Sequence, residues 1–146
     1  MAAKTKLFTI GYERRSLTQL ARDLQGAGVE RVVDVRLTPQ SRKKGFSLMS
    51  LFQNLRKAGI AYEHMSELGN PPELRDDFRK ASGGRGRARY RAMLENGRAE
   101  YVERLVRLAR AQPTAILCLE HDHERCHRET IADVAEELFG VKVVHL

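Results

Sequence analysis

"TAILCLEHDHERCHRETIADVAEELFGVKVVHL", residues 114–146, decides the fold. Thr114–Glu120 is an apolar, β-rich run of the kind found in buried strands. A crowded polar loop follows, and apolar residues then recur at helical spacing from about 126 to 139. Gly140 stops that helix, and Val141–Leu146 is strand-like again. Strand, helix and strand in one stretch is the unit of a parallel sheet.

The same alternation runs back to the N-terminus. Lys6–Ile10 reads as a strand ended by Gly11. Ser16 is a helix N-cap, with Leu17, Leu20, Ala21 and Leu24 on one face up to the Gly26-Ala27-Gly28 stop. Arg31–Arg36 is a second strand, and Leu37–Gly45 a loop. Ser47 opens a helix that ends at Gly59, and Ile60–Met65 is a third strand. Residues 66–84 hold two prolines and three glycines and read as a long irregular connection. One or two basic helices fill 85–111, with a break near Asn96-Gly97. The expectation is one α/β domain over residues 1–146, a mainly parallel sheet of about five strands with helices on both faces.

The 146 residues are 42% hydrophobic, enough to bury a core, and no apolar run approaches the roughly 20 residues that cross a bilayer. A short basic start leads straight into the first strand without a signal-like core, so a cytoplasmic protein with no membrane partner is expected. Its two cysteines are then expected as reduced thiols rather than a structural bridge. The net charge of +7 is concentrated in 75–110, which hold eleven basic side chains against five acidic ones. Such a segment suits an anionic partner, nucleic acid or a small molecule, and equally a solvated surface. Arg85, Arg87, Arg89 and Arg91 are its nucleic-acid candidates.

Ligands of parallel sheets bind beyond the carboxyl ends of the strands. The unusual polar groups gather at that end: Gly11, Tyr12 and Glu13 after the first strand; Asp34, Arg36, Ser41 and Arg42 at the second; His64 and Glu67 near the third; Cys118, Glu120, Cys126, His127 and Arg128 at the fourth. Glu13, Asp34, Glu120 and Cys126 are the candidate catalytic groups. Gly11, Tyr12, Arg36, Ser41, Arg42, His127 and Arg128 are the candidate anion or substrate ligands. Arg36, Arg42 and Arg128 are expected to share one oxyanion-binding cleft.

At a helix start, free N–H groups favour an anion or lower a cysteine pKa. Cys126 is accordingly a reactive thiol, part of an anion loop, or a buried filler. It is expected to be more solvent-reachable than Cys118, which sits in an apolar strand. A metal at Cys118, His121, His123, Cys126 and His127 is not expected, because the spacing fits no standard zinc pattern. A Cys118–Cys126 redox pair lacks the usual C-x-x-C spacing. The cysteine-phosphatase spacing is missed too, with Glu124 where its arginine belongs. No cofactor fingerprint is present.

TIGYE at 9–13, VDVRLTPQSRKKGFS at 33–47, ELGNP at 67–71 and LCLEHDHERCHRETIA at 117–132 resemble the domain of unknown function 488 family. The resemblance runs from about residue 7 to the C-terminus. It implies a compact α/β domain of bacterial or archaeal type. It carries over onto Gly11, Asp34, Arg36, Pro39, Ser41, Arg42, Leu68, Gly69, Cys118, Glu120, Cys126, His127 and Arg128. A looser topological likeness is to rhodanese and cysteine-phosphatase domains. The resulting expectation is an enzyme acting on a phosphorylated small molecule or nucleotide at the sheet rim. The alternative is a nucleic-acid-associated module using the basic segment.

Overall fold

The computed structural model describes residues 4–72, 74 and 84–146, without the side chains of Arg85 and Arg125. Its centre is one five-stranded sheet: β1 (Lys6–Gly11), β2 (Arg31–Asp34), β3 (Ala61–His64), β4 (Thr114–Cys118) and β5 (Lys142–His145). The order is β3-β2-β4-β1-β5 and every pairing is parallel. Around it lie α1 (Leu17–Gly26), α2 (Leu48–Lys57), α3 (Gly84–Met93), α4 (Ala99–Ala111) and α5 (His127–Phe139).

Strand parity divides the core in two. Phe8, Ile10, Val32, Ala115 and Leu117 pack with Leu20 and Leu24 of α1 and Leu51 and Leu55 of α2. Leu7, Val33, Ile116 and Cys118 face the other way, onto Val102, Leu105 and Val106 of α4 and Ile131, Val134 and Ala135 of α5. Each fully buried valine, leucine or isoleucine among these stabilises the fold by about 1.5–3 kcal/mol. Helices therefore cover both faces, as the alternation predicts.

The local signals hold in detail. Ser16 caps α1 in a reciprocal capping box with Gln19. Ser47 precedes α2 without a side-chain cap bond, and its hydroxyl instead accepts the Ser41 N–H at 3.2 Å. Asn96 and Gly97 leave helical geometry within the π-turn Leu94–Arg98, so the basic segment is two helices. Gly97 takes φ 104° there, a value that only glycine adopts without strain. A short 3-10 turn, Ser66–Leu68, follows β3. The rest of the connection expected over 66–84 falls largely on residues 73 and 75–83, outside the described residues. The basic residues Arg75, Arg79 and Lys80 lie there as well.

β3 and β5 each lose one residue at either end of their sequence runs, and β2 and β4 each stop two residues short. β2 ends at Asp34 because the Asp34 carboxylate turns back to accept the Arg36 N–H at 3.0 Å. β4 ends at Cys118, beyond which the Glu120 carbonyl is held by Arg128.

Candidate functional site

The carboxyl ends of β1, β2 and β4 open onto a cavity of about 140 Å³. Tyr12, Arg36, Asn70, Cys118, Glu120 and His127 line it, with Thr38 and Gln40 at its side. Two glycine-to-backbone approaches shape this rim, and both are tight enough to exclude any side chain. A Cβ on Gly11 would stand 1.7 Å from the Glu120 carbonyl oxygen, and one on Gly69 2.5 Å from the Leu37 Cα. The chain segments after β1 and β4, and those after β2 and β3, therefore touch at their glycines.

Asp34 is fully buried and anchors one side. Its carboxylate accepts the Arg36 Nε at 2.9 and 3.0 Å, the Arg36 Nη2 at 2.6 Å and the Tyr62 hydroxyl at 2.5 Å. Arg36 Nη1 donates to the Phe46 carbonyl at 2.6 Å. Burial works against the Arg36 charge, but Asp34 more than offsets it, and the guanidinium pKa is raised. Burial, then the Asp34 charge, raises the Tyr62 pKa as well. The Tyr12 ring stacks on Phe46 at 4.7 Å, and the Arg36 guanidinium carbon lies over the Tyr12 ring 5.3 Å from its centroid.

Arg128 anchors the other side and is likewise fully buried. Its Nη1 donates to the Glu120 carbonyl and lies 3.3 Å from Cys118 Sγ. Its Nη2 donates to the His121 carbonyl at 3.2 Å, and its Nε to Thr9 Oγ1 at 3.3 Å. Burial pulls its pKa down to about 10. One side chain of α5 thus fastens the whole β4–α5 connection onto β1.

Between these anchors, Cys118 and Cys126 are joined by a disulfide. Parity sends Cys118 to the α5 face of the sheet. Cys126 is the N-cap of α5, its sulfur accepting the Arg128 N–H at 3.5 Å. This corrects the expectation of reduced thiols with Cys126 solvent-reachable: both cysteines are 1% exposed. The reason is that the loop between them folds back over the strand end, held there by Arg128. Cys118, not Cys126, borders the cavity.

His127 sits beside Cys126. Its Nε2 lies 2.8 Å from the Val35 carbonyl, so Nε2 carries the proton and donates. Nδ1 is then the ring's acceptor, 3.7 Å from Cys126 Sγ. Tyr90 of α3 packs edge-on against the ring at 5.4 Å, and its hydroxyl donates to the Leu68 carbonyl at 2.6 Å. Cys118, Cys126 and His127 bring their ligand-capable atoms within 4.8 Å of one another.

The three arginines expected in one cleft part company. Arg36 borders the cavity with its donors turned to Asp34 and Phe46; Arg128 is spent on backbone carbonyls and Thr9; Arg42 is exposed on the β2–α2 loop. Ser41 bonds within that same loop. Glu13 is exposed and accepts the His121 N–H at 3.1 Å, bracing the β4–α5 connection. The Glu120 carboxylate lies 3.5 Å from Cys118 Sγ. His64 reaches the Arg36 carbonyl at 2.7 Å.

On α3, Arg91 pairs with Glu95 at 2.9 Å and with Glu137 of α5, while Arg87 donates to the Glu124 carbonyl at 3.1 Å and lies 3.8 Å from Glu129. Arg89 is exposed, and the Arg85 side chain is outside the described residues. Acidic residues of α5 therefore meet two of the four nucleic-acid candidates. Sequence reading missed Tyr62, Asn70 and Tyr90. Tyr62 and Tyr90 look like ordinary core aromatics, and Asn70 stood within the quoted ELGNP without a role.

Among the described residues, no helix is long and apolar enough to cross a membrane. Neither the curated proteins nor the solved structures contain a match to this chain. A family model, "Domain of unknown function DUF488", matches residues 16–135, which include the Asp34–Arg36 pair, both cysteines, His127 and Arg128. The chain belongs to the DUF488 family.

Proposed function

We propose that this protein is a thiol–disulfide oxidoreductase that works on a small substrate in the rim cavity. The observation that carries the proposal is the Cys118–Cys126 disulfide, with Cys118 in the cavity wall and the Arg128 guanidinium 3.3 Å from its sulfur. The sequence expectation of a phosphorylated substrate needs guanidinium donors facing outward. Those of Arg36 and Arg128 are turned into the protein, so the rim supports sulfur chemistry better than a phosphate cradle.

The cycle balances with a small thiol as reductant. Two such thiols deliver two electrons and two protons to the pair, leaving Cys118 and Cys126 as thiols and the reductant as its disulfide. The Cys118 sulfur, as thiolate, then attacks a substrate disulfide; a Cys118–substrate bond forms and one substrate thiolate leaves. Cys126 attacks the Cys118 sulfur, releases the second substrate thiolate and restores the internal bond. Arg128 donates to Cys118 as negative charge gathers on that sulfur, which gives this pair by folding what a two-residue gap gives others.

Trapping tests this. Reduced, desalted protein is mixed with a chromogenic aromatic disulfide, and the released thiol is counted. The parent should release two equivalents and end oxidised. Cys126→Ser should stop at one, with the adduct on Cys118 by mass spectrometry. No release from the folded, reduced parent, or an adduct that forms first on Cys126, would overturn the proposal.

A further inference from the structure

The same sulfurs, once reduced, meet the requirements of a metal centre. We infer that the reduced protein binds one soft divalent cation of the zinc class through Cys118 Sγ, Cys126 Sγ and His127 Nδ1. The inference rests on the pair being reducible, as the oxidoreductase reading also does, but not on any exchange reaction.

Four observations converge on it. The three ligand atoms lie within 4.8 Å of one another, and all three residues are buried. The His127 ring is held by the bond from Nε2 to the Val35 carbonyl at 2.8 Å, which leaves Nδ1 facing the sulfurs. A backbone carbonyl on the distal nitrogen is the usual support of a metal-bound histidine. The Cys118 and Cys126 Cα atoms stand 7.6 Å apart, which leaves room for the sulfurs to separate. Bonds of about 2.3 Å to a tetrahedral ion would put them roughly 3.8 Å from each other.

Charge and access point the same way. Two thiolates in a buried site need compensation; Arg128, 3.3 Å from Cys118 Sγ, supplies part of it and one divalent cation the rest. Cys118 and His127 both border the rim cavity, so a fourth ligand would reach the ion from that side. Two sulfurs, one imidazole and one open position make a donor set of the catalytic zinc type. The ligand spacing in sequence hides this, because strand parity and the loop held by Arg128, not a short gap, bring the sulfurs together.

Loading the ion and oxidising the pair exclude each other. Reduction takes two electrons and two protons from two small thiols, which leave as their disulfide, or two electrons from a phosphine, which leaves as its oxide while water supplies the oxygen and the two protons. Binding then releases the two thiol protons as the metal–sulfur bonds form.

Cobalt titration under anaerobic conditions reads the site directly. Phosphine-reduced protein should take up one equivalent of Co²⁺, with thiolate-to-cobalt charge-transfer absorption and intense visible bands of tetrahedral geometry. Zinc should displace the cobalt. Cys118→Ser and Cys126→Ser, each checked for folding by circular dichroism, should weaken binding by about 100-fold or more, and His127→Ala by at least about 10-fold. The oxidised parent should show no charge-transfer band. Absence of that band in folded, reduced parent overturns the inference, even where disulfide exchange proceeds normally. Uptake unchanged in both cysteine variants overturns it too, and would move the ion to the stacked His123–His145 pair. A one-equivalent band in a protein that shows no exchange supports it, and counts only against the oxidoreductase reading.

Discussion

Asp34 and Arg36 close on each other at the end of β2, Arg36 Nη2 to Asp34 Oδ2 at 2.6 Å, with the carboxylate fully buried and the guanidinium 7% exposed. The pair sits under the cavity and holds three segments at once. Asp34 takes the Tyr62 hydroxyl of β3, and Arg36 takes the Phe46 carbonyl ahead of α2. Its worth lies less in its own attraction than in what each partner becomes alone. A buried pair is often no better than apolar residues, whereas a single buried charge left behind costs about 3–5 kcal/mol.

Arg36→Met should therefore destabilise the protein by about 3–5 kcal/mol in urea unfolding, and Tyr62→Phe by only about 1 kcal/mol. The Arg36 guanidinium itself adds no pH dependence between mildly acidic and mildly alkaline pH. Its folded pKa is raised, so its contribution is complete below the ordinary arginine range. A double change, Asp34→Leu with Arg36→Met, should cost less than Arg36→Met alone. A double variant weaker than the single one would mean that the lone Asp34 carboxylate is sustained by the Tyr62 hydroxyl and the backbone N–H of residue 36.

Gly11→Ala tests the closest backbone approach at the rim. The added methyl would meet the Glu120 carbonyl at 1.7 Å and Arg128 Nη1 at 3.1 Å, so the β4–α5 connection must move. A backbone atom cannot swing aside as a side chain does, so the cost should reach the top of the overpacking range, about 3 kcal/mol. Exchange should fall with it, because the Arg128 bonds that hold Cys118 and Cys126 together start from that carbonyl. Unchanged unfolding midpoint and unchanged exchange would show that the connection is free to shift.

The parts of this architecture that depend on near neighbours were legible in the chain. Ser16 and Gln19 spell their capping box three residues apart, and Asn96-Gly97 marks the break between α3 and α4. The apolar runs at Arg31 and Thr114 are buried strands because nothing but a covered parallel sheet accommodates them. The rim was legible as a place, since each polar group follows a strand, but not as a geometry. Whether Arg36 faces a ligand or Asp34 depends on a two-residue turn with no sequence signature. Whether Cys118 meets Cys126 depends on a loop of seven residues folding back, and that loop is held by Arg128 reaching carbonyls, which every residue type possesses. Backbone acceptors leave no trace in a sequence. For the same reason Arg128 reads as a ligand for anions while acting as the fastener of the loop.

The acid limb of stability should carry the signature of His145. Its Nδ1 lies 2.6 Å from Thr9 Oγ1, which already accepts from Arg128 Nε and has its own proton to donate onward to an unprotonated Nδ1. Burial, then the stacked His123 ring and the Arg128 charge, lower the His145 pKa to about 4. The unfolded chain has its histidine near the ordinary value, about 6.5. Between those two values the unfolded state binds more protons than the folded one, so stability falls as pH drops from about 6.5 towards 4 and is unaffected above it. The ring is partly solvent-exposed, and screening trims the loss to about 1 kcal/mol. His145→Gln keeps a polar group at the edge of β5 without the proton. Urea midpoints measured between pH 7 and pH 4 should therefore slope less in His145→Gln than in the parent. Parallel slopes for the two proteins would place the acid sensitivity on another group and break the Arg128–Thr9–His145 relay as its cause.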